Sequence, residues 1–414
     1  MSDQDEANSG MSQFDIAWGD VEDDEEPVAP DAVSQAVVTD TDWTAETILS
    51  QLRRGNIQLN PRFQRRDAWD LKRKSRFIES LILGLPIPQL VLAEDRKRRG
   101  SFLVLDGKQR LLALRQFAEG SSFAANASEE YRKFSLRGLD VRTDLNRQTL
   151  AKMESDADRV DDLNAFLNQT IRTVVVRGWP NEEFLNLVFL RLNTGSVSLS
   201  PQELRQALHP GSFTNFLDDH ASESTSLQKA LKLSGPDFRM RDVEILLRFF
   251  AFSYFLPAYR GDLKKFLDET TEKLNQRWAE DETHIREQAR QCDMAIDCTI
   301  EIFGSDAFRR WEKNHYENRF NRAIFDVMTY YFSSLSVREN AQAKAADIRD
   351  AFQDLCDSDP EFVKSVQSTT KSIPATQYRL QKWGESIAPI VGPDDLKIPY
   401  LKGEGREERI VFRG

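Results

Sequence analysis

The chain has 414 residues, of which 40% are hydrophobic and 30% are charged, and its formal net charge is −11. This length suggests two or three domains, and the composition is that of a soluble globular protein. No apolar run approaches the roughly 20 uncharged residues that span a bilayer. The acidic N-terminus lacks the apolar core of a signal peptide, and three cysteines cannot form a disulfide framework. We therefore expect a cytoplasmic protein without membrane contact, and not a membrane, secreted or fibrous one.

The negative charge is concentrated at the N-terminus. Residues 1–40 hold 12 Asp and Glu and no Lys or Arg, so the other 374 residues carry 56 positive and 55 negative groups. Such an acidic segment cannot bury enough apolar surface to fold, and we predict that it is disordered. Residues 52–115 hold 16 Lys and Arg against 6 Asp and Glu, a local net charge of +10. This local charge suits a polyanionic partner, although a solvated helix face and an exposed basic turn would also account for it.

Residues 41–178 show mixed α and β patterns. In chain order the sequence predicts an extended stretch, a helix, two strands, two helices and a strand, at 57–60, 71–84, 89–93, 102–105, 108–120, 147–167 and 172–177. Asp70 is the predicted cap of the first helix, and Gly84 with Pro86 ends it. The two strands at 89–93 and 102–105 are joined by the basic turn, Arg96–Arg99.

From Pro180 onward the hydrophobic pattern is helical. It predicts a series of helices at 182–192, from 200, and near 241–255, 262–279, 284–302, 318–333, 342–356 and 374–386. The predicted fold class is therefore α+β, a small mixed domain followed by a larger all-helical domain. The predicted parts are an acidic disordered tail, a mixed domain, a helical domain and an irregular C-terminal tail, at 1–40, 41–178, 179–390 and 391–414.

Two short basic runs carry most of the candidate chemistry. The run 61–69 places three arginines, an amide and two aromatic rings just before a basic helix. The run 105–110 passes from a strand into a helix through Asp106-Gly107, with Lys108 and Arg110 in the first turn. A helix N-terminus attracts phosphate, and glycine allows the backbone to come close to it. A plain strand–turn–helix junction with exposed basic residues would show the same spacing.

These runs resemble blocks of a known family, the N-terminal domain of the GmrSD restriction proteins. The matching positions follow the family's order over roughly residues 43–335: Pro61, Phe63-Gln64-Arg65, Trp69, Ser75, Glu79-Ser80, Pro86-Ile87-Pro88, Asp106-Gly107-Lys108-Gln109-Arg110, Phe189–Gly195, Leu199-Ser200, Glu203-Leu204, Arg241, Asp242, Glu244 and Arg248. The resemblance implies a fold related to the ParB and sulfiredoxin nucleotide-binding domains. This chain has Lys108 where the family's usual Asp-Gly-Gln-Gln-Arg signature has glutamine.

The resemblance implies a nucleoside triphosphatase module of a bacterial anti-phage restriction system, which couples Mg²⁺-dependent hydrolysis to recognition of DNA, including modified DNA. Carried over by position, it assigns catalytic roles to Gln64, Asp106, Gln109 and Arg110. Nucleotide contacts fall on Phe63, Arg65, Gly107, Lys108, Asn193 and Thr194. Asp106 would hold Mg²⁺, although a helix-capping role explains this aspartate equally well.

The basic residues outside the nucleotide motifs are the predicted DNA contacts. They are Arg66, Lys72, Arg73, Lys74, Arg96, Lys97, Arg98 and Arg99. An alternative is a non-catalytic nucleotide or DNA sensor that needs a partner nuclease. The substitution at Lys108 and the lack of a recognisable His-Asn-His nuclease motif favour that alternative. A third hypothesis is that the acidic tail imitates DNA and shields the basic surface.

Other chemistries find little support. No glycine-rich loop leads into Gly-Lys-Ser/Thr, and the four histidines are scattered. Asn314-His315 lies in a helical pattern and does not predict a nuclease site. Cys292 and Cys298 are predicted core residues, and all three cysteines lie at 292 or beyond, far along the chain from the motifs that a sulfiredoxin-like thiol would need. Ser200 and Glu203 fit a capping box, which explains both without a ligand.

Overall fold

The computed structural model describes residues 37–59, 67–124, 131–181, 184–185, 188, 200–367, 371–392, 396–403, 405 and 408–412. These residues form two compact units, an N-terminal unit, 37–210 with 237–240, and a C-terminal unit, 211–236 with 241–412. The fold class is α+β, as predicted, because a small sheet-containing region precedes a larger helical region.

The described part of the N-terminal unit combines a small sheet with short helices. The strands are β1 (Val37–Thr44), β2 (Leu90–Glu94), β3 (Phe102–Asp106) and β4 (Thr170–Arg177). The helices are α1 (Ala45–Arg53), α2 (Leu71–Ile82), α3 (Lys108–Phe117), α4 (Leu150–Ser155), α5 (Val160–Asn168) and α6 (Pro201–Leu208). Single 3-10 turns lie at Thr143–Leu145 and Ala157–Arg159.

The four strands form one sheet in the order β1-β4-β2-β3. β4 pairs antiparallel with β1 and parallel with β2, and β2 pairs antiparallel with β3. Val175 of β4 lies opposite Leu92 of β2, and both are fully buried. β-branched and aliphatic residues suit strands covered on both faces, which is why the sequence predicted β2, β3 and β4.

The edge strand β1 was not predicted from the sequence. None of its residues is fully buried, and it carries threonines and aspartates, so its pattern does not stand out from an acidic tail. Residues 37–40, predicted to be disordered, are therefore the first half of this strand. The rest of the predicted tail, 1–36, lies outside the described residues.

Helix α2 forms as predicted. The side chain of Asp70 accepts a hydrogen bond from the backbone N–H of Arg73 at 2.7 Å, which caps the helix. Phe77, Ile78 and Leu81 are buried on one face. The helix therefore presents its apolar side to the core of the N-terminal unit.

The predicted helix at 147–167 is two helices, α4 and α5. Asp156 lies between them with φ −110° and ψ 110°, an extended conformation that ends α4. Its side chain accepts a hydrogen bond from the N–H of Asp158 at 3.0 Å and starts the 3-10 turn that follows. A local side-chain-to-backbone bond has replaced a helical turn here.

The chain continues on the sheet after β4. Trp179, Phe184, Leu185 and Leu204 share one hydrophobic cluster with buried residues of β2, β3 and β4. The sequence predicted that the helical domain begins at residue 179, whereas packing places the described residues up to 210 in the N-terminal unit.

The C-terminal unit is predominantly helical. Its helices are α7 (Ser212–Glu223), α8 (Thr225–Leu231), α9 (Arg241–Phe255), α10 (Leu263–Phe303), α11 (Arg322–Phe332), α12 (Leu335–Ala343), α13 (Ala345–Ser358), α14 (Pro360–Gln367) and α15 (Ile373–Val391). Its strands are β5 (Trp311–Glu312), β6 (His315–Tyr316), β7 (Pro399–Lys402) and β8 (Arg409–Phe412), and 3-10 turns lie at Leu256–Ala258 and Gly304–Asp306.

The helices predicted at 262–279 and 284–302 are one helix, α10, of 41 residues. The segment between them is polar on all sides but contains neither Gly nor Pro. Ion pairs one turn apart continue the helix through it, from Arg277 to Asp281 at 2.5 Å and from Arg286 to Glu282 at 2.8 Å. The apolar stripe is interrupted in this segment, so the hydrophobic pattern did not predict a helix there, although the backbone is helical throughout.

Two β-hairpins correct the sequence predictions for this unit. His315 lies on strand β6 and not in a helix, because Lys313 and Asn314 adopt positive φ values of 48° and 66° and reverse the chain. β7 and β8 pair antiparallel within the segment predicted to be irregular. The described part of the C-terminal unit is therefore not all-helical.

The interior of the C-terminal unit contains thiols and charges. Cys292, Cys298 and Cys356 are buried and free, which confirms the core positions predicted for Cys292 and Cys298. Arg248 of α9 donates two hydrogen bonds to Asp326 of α11, and both side chains are almost fully buried. Among the described helices, none is long and apolar enough to cross a membrane.

Candidate functional site

The candidate site begins where β3 passes into α3. Gly107 is the first residue outside the helix and has φ 97° and ψ 11°, in the left-handed region that glycine adopts without strain. A Cβ atom at this position would lie 2.3 Å from Cδ2 of Leu90. Among the residues that the structure describes, no side chain caps α3. The glycine therefore permits both the turn and the packing, and it leaves the first N–H groups of the helix without a side-chain cap.

Asp106 and Arg110 form one hydrogen-bonded pair at this junction. Nη2 of Arg110 donates to Oδ2 of Asp106 at 3.0 Å and to the carbonyl oxygen of Gln89 at 3.0 Å. Arg110 is buried, whereas Asp106 is partly exposed. The arginine thus holds the carboxylate at the end of the strand, one turn before its own position on the helix.

Lys108, the residue that departs from the family signature, forms a buried ion pair with Glu203. Oε2 of Glu203 also accepts the N–H of Ser200 at 2.7 Å, and Oγ of Ser200 accepts the N–H of Glu203 at 3.1 Å. The predicted capping box of α6 is therefore confirmed. The ion pair itself was not predicted, because the capping box already explained why residue 203 is a glutamate. Nothing in the sequence indicated that the other carboxylate oxygen of Glu203 contacts Lys108 on α3.

Gln109 carries the acceptor atom of the junction that is left unpaired, and Nε of Arg110 is likewise buried without a partner among the described residues. Its Oε1 atom is buried and has no hydrogen-bond partner in the part of the chain that the structure describes. A buried acceptor without a donor is costly, and in native proteins such a group meets a water or a ligand. Gln109 is thus a polar group at the junction that is not used by the described part of the fold.

The first predicted motif lies mostly outside the described residues, including Phe63, Gln64, Arg65 and Arg66, and so do Asn193 and Thr194. The structure describes the residues on both sides of this gap, up to 59 and from 67 onward. Nε2 of Gln58, on the N-terminal side, donates to Oγ of Ser101 at 3.0 Å. Asp67, on the C-terminal side, accepts from Lys74 and from Nε2 of Gln116 on α3 at 3.3 Å. The flanks are therefore attached to the start of β3 and to the second half of α3.

The predicted DNA-binding residues separate into two groups. Lys74 is buried, pairs with Asp67 and donates to Oε1 of Gln116 at 2.8 Å. Its charge is therefore directed into the fold and not toward the surface, where a DNA contact was predicted. Lys72 and Arg73 are exposed on α2, and the guanidinium of Arg73 lies 4.9 Å from the centre of the Trp69 ring. Arg96, Lys97, Arg98 and Arg99 are all exposed in the basic turn between β2 and β3.

The described residues contain neither a reactive thiol nor a cluster of three or more metal ligands. Burial raises the pKa of the Cys298 and Cys356 thiols to about 12, and the pKa of Cys292 is raised well above its usual value for the same reason. These thiols stay protonated at neutral pH, which excludes them as nucleophiles. No group of three or more His, Cys, Asp or Glu that suits a metal ion occurs among the residues placed.

Comparison with known families matches residues 45–210 to the GmrSD restriction endonuclease, N-terminal domain. This segment is therefore similar to the GmrSD N-terminal domain family. The match ends where the N-terminal unit ends and does not include the helical part, up to residue 335, to which the sequence resemblance extended. No curated protein matches the chain. The GmrSD family implies a component of a restriction or anti-phage system.

Proposed function

We propose that the GmrSD domain binds a nucleoside triphosphate at the β3–α3 junction and hydrolyses it with Mg²⁺, and that hydrolysis is coupled to recognition of DNA. The observation that carries the proposal is the helix start at Gly107, which no side chain in the described ranges caps. The N–H groups of such a helix start carry partial positive charge and suit phosphate oxygens.

The other groups of the junction support distinct roles. Asp106 is the carboxylate that would hold Mg²⁺, an ion that takes one or two carboxylates and completes its shell with water and phosphate. When bound, the ion would supply charge neutralisation at the phosphates. Gln109, with its amide oxygen still available, would orient the attacking water. Arg110 positions Asp106, and Lys108 positions the start of α6 through Glu203.

One observation favours the second candidate, a nucleotide or DNA sensor that does not hydrolyse and needs a partner nuclease. Lys108 and Arg110 are each paired with a carboxylate, so the four side chains at the junction sum to zero charge. Phosphoryl transfer depends on positive charge around the phosphates. If the first motif does not supply that charge, the site would bind nucleotide without turnover.

The test compares the wild-type protein with Gln109→Ala in phosphate release from each nucleoside triphosphate, with Mg²⁺, in the presence and absence of duplex DNA. The variant removes an oxygen that has no described protein partner, so its thermal unfolding is expected to match that of the wild type. Phosphate release is expected to fall about 100-fold, as when a transition-state-orienting group is lost. Lys152→Ala, an exposed change in the same unit, serves as the control and is expected to keep full activity.

Equal rates for the wild type and Gln109→Ala would reject the catalytic role of this junction. Calorimetry on the same proteins separates the two candidates. Nucleotide binding without any release of phosphate would decide for the sensor, and no binding of any nucleotide would reject both.

A further inference from the structure

The basic turn between β2 and β3 has a fixed backbone. The N–H of Asp95 donates to the carbonyl of Ser101 at 2.8 Å, and the N–H of Ser101 donates to the carbonyl of Arg98 at 3.0 Å. Gly100 closes the turn with φ 78°. From the other side, Nε2 of Gln58 donates to Oγ of Ser101. Binding through this turn would therefore not require the backbone to be ordered first.

In the described ranges, the two acidic residues of the turn form no ion pair with its cations, and hydrogen bonds and an ion pair within the fold orient all four of their oxygens. Glu94 accepts the N–H of Gly100 at 2.9 Å through Oε1 and pairs with Nε of Arg177 at 3.3 Å through Oε2. Asp95 accepts the N–H of Lys97 at 2.8 Å through Oδ1 and Nε2 of Gln58 at 3.3 Å through Oδ2.

Arg96 fastens the turn to the segment after β4. Its Nη1 donates to the carbonyl of Pro180 at 2.7 Å, and its guanidinium lies 5.3 Å from the centre of the Trp179 ring. Nε1 of Trp179 in turn donates to the carbonyl of Glu94 at 2.7 Å. Arg96 is thus a structural cation, despite its exposure.

Lys97, Arg98 and Arg99 remain as three consecutive exposed cations on this rigid turn. None of the three side chains forms an ion pair with any residue in the described ranges. Three like charges held side by side on a rigid turn create a local positive potential, and such a potential favours the approach of an external polyanion.

We propose that Lys97, Arg98 and Arg99 bind the sugar-phosphate backbone of duplex DNA, without reading its sequence. The inference rests on the proposed coupling of this domain to DNA and names the surface that makes the contact. Binding of single strands relies on exposed aromatic faces on which bases stack. The aromatic residue at this turn, Trp179, is only 7% exposed and is covered by Arg96. The turn therefore offers charge without a stacking platform, which suits the phosphates of a duplex.

The experiment measures the affinity of the full chain for a labelled duplex of arbitrary sequence between 50 and 200 mM salt (roughly the range over which counterion release is resolved), without nucleotide. The test variant is K97A/R98A/R99A. Each phosphate contact contributes about 0.9 to the slope of log affinity against log salt, so the variant is expected to lower that slope by about 3 and the affinity at least tenfold. The charge-preserving variant R98K/R99K is expected to keep the slope.

The matched control is R54A/K133A/R137A, which removes three exposed cations from elsewhere in the same unit and changes the net charge equally. It is expected to leave the slope within about one unit of the wild type. Equal losses in both triple variants would show a diffuse charge effect and overturn the assignment. Tighter binding to single-stranded DNA or to RNA than to the duplex would also overturn it. Because no nucleotide is present, loss of hydrolysis at the β3–α3 junction would not affect this result.

Discussion

At the scale of single residues, the departure at Lys108 has a structural explanation. A lysine in the first turn of a helix opposes the helix dipole, and a buried lysine is costly unless it is paired. Glu203 compensates both effects from the start of α6. The cation of Lys108 is therefore used inside the fold, where it joins α3, the helix proposed to bind phosphate, to α6.

The Lys108–Glu203 pair leads to a prediction about stability. Glu203→Gln removes the charge that compensates Lys108, and we expect the free energy of unfolding to fall by roughly 3–5 kcal/mol, as for a broken buried pair. In the double variant K108Q/E203Q both charges are gone, and most of the loss should be recovered. Urea unfolding followed by circular dichroism measures both changes. If the double variant is no more stable than E203Q, the capping box and not the ion pair carries the effect of Glu203.

At the scale of elements, a charged network joins the loop before α4 to α5. Arg142 donates to Asp144 at 2.9 Å and to Asp162 at 2.6 Å, and Arg159 contacts the same two carboxylates. The Arg142 guanidinium, and then Arg159, hold the pKa of both aspartates below the usual value. Charge-assisted hydrogen bonds therefore attach the loop to α5.

The sign of these shifts predicts a dependence of stability on pH. A carboxyl whose pKa is lower in the folded state stabilises the fold above its unfolded pKa of about 3.9, and this contribution is lost as the pH falls further. The stability difference between the wild type and D144N/D162N is therefore expected to be constant from pH 7 to about 5 and to shrink toward pH 3. The effect is modest, because Arg142 and Asp144 are partly exposed and salt screens them.

The control for this network is Asp161→Asn, an exposed change on the same helix, which is expected to show no such dependence on pH. Chemical unfolding at pH 7, 5 and 3 provides the measurement. A difference that persists unchanged at pH 3 would mean that the two aspartates act through packing.

The elements that the sequence predicted share one property, a clear apolar pattern. β4 was found from its valines and α2 from its apolar face and Asp70 cap. β1 and the β7–β8 hairpin were missed because half of their residues are exposed and few are buried, so the pattern that marks a buried strand is absent. The residues of the β3–α3 junction were also predicted, but the partner of Lys108 lies 95 residues away, and no local pattern specifies such a contact.

At the scale of the whole molecule, the family match lies in the N-terminal unit, at residues 45–210. The C-terminal unit has a buried interior of its own, which includes charged side chains. Asp326 of α11 is buried and accepts two hydrogen bonds from Arg248 of α9. Nη2 of Arg379 on α15 lies 3.7 Å from the same carboxylate. One acidic group thus ties together three helices that are far apart in sequence.

Removal of this shared carboxylate is expected to destabilise the protein strongly. Asp326→Asn leaves two buried guanidinium groups without their common counter-charge, and we expect a loss of roughly 3–5 kcal/mol in the free energy of unfolding. Glu361→Gln on the exposed side of α14 is the comparison and should stay within about 0.5 kcal/mol. Guanidinium unfolding of the full chain measures both. A loss below about 1 kcal/mol for Asp326→Asn would show that the arginines find sufficient compensation elsewhere.

The position of Trp179 has a consequence for the tryptophan fluorescence of the protein. Its indole ring lies beneath the guanidinium of Arg96 and is hydrogen-bonded to the backbone beside the basic turn. Indole emission depends on the electric field across the ring, and a polyanion arriving above it changes that field. The chain has seven tryptophans, and the part of their emission that Trp179→Phe removes is expected to shift when DNA occupies the surface that we assign to it.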